Sequence, residues 1–395
     1  MLTDAMIIGA AFVVALLLVW PRVRRNVTWR ATTTPLASII GSGFLVLGPL
    51  LNDSFGAAAP LVMLTLCAAA YVFGAAVRRN MRAMDQGFGL AETRIDTLSS
   101  WVLAFAYVVS VAYYLNLFGA FGLSLFGLEN PDAPRILTTV VYLVILLAGL
   151  SKGFRALESM EQVSVGLKLA VIAGLIVGLA GYVGAQIGAG SVAHNPVQLT
   201  GWPAVTLVFG LIVTVQGFET SRYLGATYDT RTRIRSMIVA QILATAIYLV
   251  YVGLLSIGFP SGGVVFSETA IIDMMGQVAP VLPYLLVLAA LAAQFSAAVA
   301  DTGGAGGLVT ELTKGRLPER QAYAVLVAVG VAMTWRLDVF AIIAVASRAF
   351  ALYYALQALQ AAFADHRDRR PFGRALFFCL AVFGLVIAIF GRPFE

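Results

Sequence analysis

Residues 36–47 read Leu36-Ala37-Ser38-Ile39-Ile40-Gly41-Ser42-Gly43-Phe44-Leu45-Val46-Leu47, an apolar run interrupted at its middle by Gly-Ser-Gly. Lipid offers a backbone no hydrogen bonds, so an interruption at membrane depth is tolerated only where it lines protein or a watery cavity. A second apolar run carries the same kind of signal at Val215-Gln216-Gly217-Phe218-Glu219-Thr220. Glycine is common in membrane helices and often serves only close packing. Two interruptions at corresponding places of two halves point instead to the binding site of a transporter, and here they lie five apolar runs apart.

The composition agrees with a membrane setting. Of 395 residues, 60% are hydrophobic and 12% charged, whereas soluble domains carry roughly a quarter charged residues. So little charge does not cover a water-facing surface. A spanning helix needs about 20 mostly apolar residues. Such runs fall at roughly 5–20, 35–52, 57–77, 99–126, 136–151, 161–187, 203–225, 236–258, 281–312, 321–335, 338–363 and 374–391. The chain therefore reads as an all-α integral membrane protein of about twelve transmembrane helices. A half-apolar stretch at 267–278 predicts a short helix over the outer mouth.

Charge placement gives the membrane its sides. With the first span running inward, the inner segments collect Arg22, Arg24, Arg25 and Arg30, then Arg78, Arg79, Arg82 and Arg94, then Lys152 and Arg155. They continue with Arg222, Arg231, Arg233 and Arg235, with Lys314, Arg316 and Arg320, and with Arg367, Arg369, Arg370 and Arg374. Of the 26 Lys and Arg residues, only Arg135, Arg336 and Arg392 fall in outer segments, as the positive-inside rule requires. All five tryptophans sit at or just beyond span ends, in the manner of an aromatic belt. Both termini are thus expected on the extracytoplasmic side of a multi-pass cell-membrane protein. The first span has no basic residue before it and several after it, the reverse of a cleavable leader.

The same placement turns the net charge of +6 into topology rather than a nucleic-acid footprint. Cys67 and Cys379 lie inside apolar runs, where a thiol behaves as a small apolar group. His194 and His366 fall in connecting segments, so no metal cluster or buried histidine relay is implied. No His-Glu-x-x-His run or Ser and His pair lies within the spans, and an enzyme is not expected.

On its two breaks the chain resembles the amino acid, polyamine and organocation superfamily of transporters, which has the bacterial leucine-transporter fold. In that family the first core helix carries a break like Gly41-Ser42-Gly43. The sixth carries one like Gly217-Phe218-Glu219, followed by a charged inner loop similar to Tyr228-Asp229-Thr230-Arg231. A Gly-x-Leu-Pro segment after the eighth core helix matches Gly315-Arg316-Leu317-Pro318, and the lysine that proton-coupled members hold in the fifth core helix falls at Lys168. The resemblance covers roughly 33–364, and the order and spacing of short motifs carry it. It implies two inverted five-helix repeats, 31–189 and 190–364, with broken first and sixth core helices, one extra helix in 1–30 and another in 365–395. The helix ahead of the core departs from the family's commonest layout, which leaves the subfamily and the substrate open.

Where a helix restarts after a break, its free N–H groups and positive dipole end favour an anion. Gly41, Ser42 and Gly43 are thus expected to hold a substrate carboxylate, and the carbonyls freed near Gly217, with Phe218 and Glu219, an amino group. Together they describe a zwitterion site for an amino acid or related small organic solute. Tyr113, Tyr114, Tyr353 and Tyr354 are candidate walls, or plain packing.

Lys168 lies about eight residues into its span, about 12 Å by helical rise, where a charge costs roughly 2.5 to 3.5 kcal/mol. Either it snorkels back to the inner interface, or it sits at the contact with the first and eighth core helices, as the resemblance implies, and gains and loses a proton there. Asp301 is its expected partner. If Lys168 turns away, Asp301 with Ser296 and Thr302 offers a sodium site instead. The coupling ion is therefore a proton or sodium, and no other cofactor is implied. Arg348, ten residues beyond Asp338, is expected to face the cavity and meet Glu219, Asp301 or an anionic substrate. The rival reading is an inorganic cation transporter or channel on the same scaffold; the Asp-Pro-Gly-Asn and Met-Pro-His breaks of the metal-ion branch are not in the sequence.

Overall fold

A computed structural model describes residues 2–41, 43–126, 130–151, 155–262 and 267–394. Ser42 and Lys152 lie outside the described residues. Every regular element described is helical: α1 Leu2–Val19, α2 Pro21–Arg24, α3 Val27–Ile39, α4 Gly43–Phe55, α5 Ala59–Asp85, α6 Leu90–Leu123, α7 Ala133–Ser151, α8 Arg155–Ala189 and α9 Gly201–Gly210. After two 3₁₀ stretches, Ile212–Val215 and Phe218–Ala226, come α10 Thr230–Gly258, α11 Ala270–Val278, α12 Leu282–Leu312, α13 Glu319–Arg336, α14 Val339–Arg367 and α15 Pro371–Phe390.

Eight helical stretches among the described residues are long and apolar enough to cross a membrane. They include Gly43–Asp85, one stretch of 43 residues that turns at Gly56, whose φ is +49°. The outer surfaces are apolar as well: Phe12, Leu147 and Ile389 are 63%, 66% and 64% exposed. A water-soluble monomer does not carry apolar surface on that scale, and the chain is a multi-pass membrane protein. The remaining predicted spans correspond to shorter or more polar helices. α3 and α9 stop at the breaks after 13 and 10 residues, and α13 carries Glu319, Arg320 and Arg336 at its ends.

Lipid tails remove the hydrophobic drive for helix association, so small residues that allow close approach decide the packing. α1 lies on α8 because Gly174 and Gly178 admit the fully buried Ile7; a methyl on Gly174 would sit 3.0 Å from the Ile7 carbonyl oxygen. α6 packs against α7, α12, α13 and α14, while α10 packs against α3, α4, α5 and α8. The two breaks are enclosed between these two long helices, α8 and α14. α11 packs on α4 and α12, where the sequence predicts a short helix.

Two differences from the predicted spans have physical reasons. α6 begins nine residues ahead of its predicted start at 99. Glu92 accepts from the Gly89 N–H at 2.8 Å as an N-terminal cap, and this polar first stretch is held by arginines of other elements. In the span predicted at 203–225, the second half follows a 3₁₀ course over Phe218–Ala226, interrupted by a kink at Leu224, rather than an α-helix.

Candidate functional site

α3 runs out at Ile39, and Ile40, at φ −84° and ψ 62°, leaves the helical path. The last carbonyls of a helix have no partners within it and form its negative dipole end. Here they are met from two sides. Lys168, buried on α8, donates to the carbonyls of Ala37 at 2.9 Å and Ile40 at 3.2 Å. Tyr248 of α10 donates to the Ile39 carbonyl at 2.6 Å and lies 2.9 Å from the Thr214 carbonyl of the second break. One hydroxyl thus touches both broken segments. Of the two positions expected for Lys168, the structure has the inward one, at the α3 end.

The second break is built in the same way. α9 ends at Gly210, whose carbonyl accepts from Ser347 of α14 at 2.6 Å; the same hydroxyl accepts from the Val213 N–H at 3.1 Å. Gln216 is extended, at φ −79° and ψ 176°, and its Nε2 donates to the Tyr114 hydroxyl at 3.1 Å. Gly217 has φ +110°, a conformation that side-chain-bearing residues rarely adopt. There is also no room for a side chain. A Cβ on Gly217 would fall 2.6 Å from the carbonyl carbon of Ser38 and 2.8 Å from the Ile39 nitrogen. The two breaks therefore touch backbone to backbone.

Around that contact stand most of the residues singled out from the sequence. A Cβ on Gly41 would lie 3.7 Å from the Tyr114 ring, and one on Gly43 would overlap the Tyr113 hydroxyl. Phe218 stacks on Tyr354 with centroids 4.9 Å apart. Glu219 is fully buried. Its Oε2 accepts from the Gly217 N–H at 2.9 Å and from the Tyr354 hydroxyl at 2.8 Å, while Oε1 has no hydrogen-bond partner among the described residues. A carboxyl oxygen buried without a donor is costly.

Beside Lys168 lies a cavity of about 20 Å³ lined by Ile40, Gly41, Phe44, Ile172, Leu286 and Ala293 among others, room for about one water molecule. Asp301 of α12, half-buried, accepts from the Ser110 hydroxyl of α6. Thr302 donates to the Ala298 carbonyl of its own helix at 2.6 Å, and Ser296 is half-buried on α12. Arg348 corrects the expectation that it faces the cavity. It is exposed, and its Nε donates to the Gly391 carbonyl at 2.8 Å. The segment after α15 caps it from outside the bundle, so the guanidinium finds an acceptor without entering the core. Among the described residues no three His, Cys, Asp or Glu side chains are grouped to hold a metal ion.

Tyr248, Ser347, Thr214 and Ser110 were not singled out from the sequence. Each is a lone hydroxyl in an apolar run, and which backbone group it meets is decided only by packing. Gln216 was not singled out either, although an amide next to a break glycine is out of place in an apolar span.

Polar contacts tie the helices together on either side of the breaks. Arg222 donates to Asp96 and, at 2.6 Å, to Gln357. Arg79 donates to Asp365 and Asp368, both at 2.5 Å, and Arg367 to Glu92 at 2.7 Å. Burial pushes the Asp368 carboxyl up, but the Arg79 and Arg367 guanidiniums outweigh this and hold it below the ordinary aspartate range. At the opposite end, Asn195 donates to Asn52 at 3.0 Å and to the Phe259 carbonyl at 2.7 Å.

The profile of a family described as "APC superfamily transporter" matches residues 21–391. A protein of Aquifex aeolicus (strain VF5), described as uncharacterized, is 38% identical over 407 aligned positions, covering 100% of this chain and 98% of the relative.

Proposed function

Because the chain belongs to the APC superfamily of transporters, we propose that it moves an amino acid or related small organic solute by alternating access, coupled to protons through Lys168. α3 with α4 is one interrupted span, and α9 with Phe218–Ala226 is another. With α1, α5, α6, α7, α8, α10, α12, α13, α14 and α15 they make twelve. On this reading 31–189 and 190–364 are inverted five-helix repeats, α1 and α15 are the extra helices, and both termini are extracytoplasmic.

One observation carries the reading: the two breaks abut at Ser38 and Gly217, and the Lys168 ammonium rests on the carbonyl end of the first. The start of α4 at Gly43 offers free N–H groups for a carboxylate. Glu219 Oε1 offers an acceptor for an amino group. A charged Lys168 is held to the α3 end by charge and dipole as well as hydrogen bonds; a neutral amine keeps only weaker hydrogen bonds. Proton loss therefore loosens α3 at the break, which couples proton occupancy to the geometry of the substrate site. The placement of the ammonium on these carbonyls favours the proton over sodium.

The test is a thermal-shift screen of the purified protein against amino acids, amines and organic acids at two pH values, with and without sodium. Zwitterions should stabilise it in a pH-dependent, sodium-independent way. Stabilisation by none of them, or only with sodium present, would overturn the reading.

A further inference from the structure

A crevice of about 440 Å³ opens between the Ala15–Val19 end of α1, α3 and α8, far larger than the cavity at the breaks. Leu18 and Val19 of α1 form one wall, Gly166 and Leu169 of α8 another, and Arg24 and Arg30 stand beside Trp29 and Thr33 at the α2–α3 corner. Its described lining is mostly apolar, and the only charged side chains in it are Arg24 and Arg30. Between Asp4 and Asp53 the sequence holds four arginines and no acidic residue. Among the described residues Arg24 and Arg30 form no ion pair, and both are exposed.

We propose that this crevice is a binding site for an anionic phospholipid, one acyl chain lying between α1 and α8 and the phosphate held by Arg24 and Arg30. An aliphatic slot suits a hydrocarbon chain, and paired guanidiniums give a phosphate bidentate partners at membrane-interface depth. Trp29, half-buried at the same level, is the side chain expected at a headgroup boundary. The site lies apart from the breaks. Val165, Gly166, Leu167 and Leu169 of α8 line the crevice, while Lys168 reaches the α3 carbonyls. The inference rests on the membrane setting alone and stands whichever solute is carried.

Gly166 supplies the decisive variant, because a Cβ there would meet nothing within 4 Å. Gly166→Leu extends a side chain from a Cβ that meets nothing within 4 Å among the described residues into the slot, and Arg24→Gln with Arg30→Gln removes the charge from exposed positions. The experiment is native mass spectrometry of the full chain from micelles holding equal phosphatidylglycerol and phosphatidylcholine, with thermal melting as the folding control. The wild type should retain phosphatidylglycerol preferentially. The double arginine variant should lower that preference about 25-fold, the product of roughly fivefold for each charge at a membrane surface. Gly166→Leu should lose the retained lipid while melting no lower than wild type. Equal retention of the two lipids by the wild type, or unaltered retention in either variant, would overturn the proposal.

Discussion

Gly217→Ala tests the contact between the breaks at a single atom. The added methyl meets the carbonyl carbon of Ser38 at 2.6 Å and the Ile39 nitrogen at 2.8 Å. Both are backbone atoms and neither swings aside as a side chain would. Overpacking of a tight contact costs about 1–3 kcal/mol, and holding an alanine at φ +110° adds about 1–3 kcal/mol. The substitution should therefore destabilise the protein by about 2–6 kcal/mol or push the breaks apart, and with them the substrate site. Gly262→Ala is the control, since Gly262 has φ +71° but a Cβ there meets nothing within 4 Å among the described residues. It carries the conformational cost without the contact. Melting of the two variants in detergent, each with and without a stabilising solute, separates the terms. Gly217→Ala should melt well below Gly262→Ala and lose the response to solute. If the two melt alike and both respond, the breaks do not touch as described and the argument for a joint site fails.

Two further outcomes follow from the polar contacts. Tyr248→Phe removes the hydroxyl that meets the Ile39 and Thr214 carbonyls; stability should fall by about 1–3 kcal/mol, the cost of leaving a buried acceptor bare, and an unchanged melting temperature would contradict the bridge. Asp368 is held below its ordinary range, so its contribution is present above the unfolded value near 3.9 and is lost as pH falls through the lower folded value. Between pH 7 and pH 3 the wild type should therefore lose more stability than Asp368→Asn, and equal losses would show that the Arg79 and Arg367 contacts contribute nothing there.

The breaks were legible in the sequence because glycine flanked by polar groups is out of place in an apolar run unless the helix is interrupted there. Lys168 was legible because a cation at that depth requires a partner. The α3 carbonyls that receive its Nζ were not legible, because backbone carbonyls are the same in any sequence and become acceptors only once the helix end is located. Arg348 shows the opposite failure. Its depth along α14 implied a cavity role, but depth does not give direction, and a terminal segment with little pattern of its own supplied the carbonyl. The 3₁₀ course of Phe218–Ala226 and the early start of α6 likewise depend on contacts with distant elements, which local propensity does not encode.

The central claim is that Lys168, seated on the carbonyl end of the first break, couples proton movement to solute movement. Its direct test is solute-driven proton flux into proteoliposomes, followed with an internal pH dye, for wild type and Lys168→Met, with and without a sodium gradient. The account predicts acidification on solute addition that is indifferent to sodium and is lost in Lys168→Met. Uptake that needs sodium, or a proton flux that survives Lys168→Met, would contradict it.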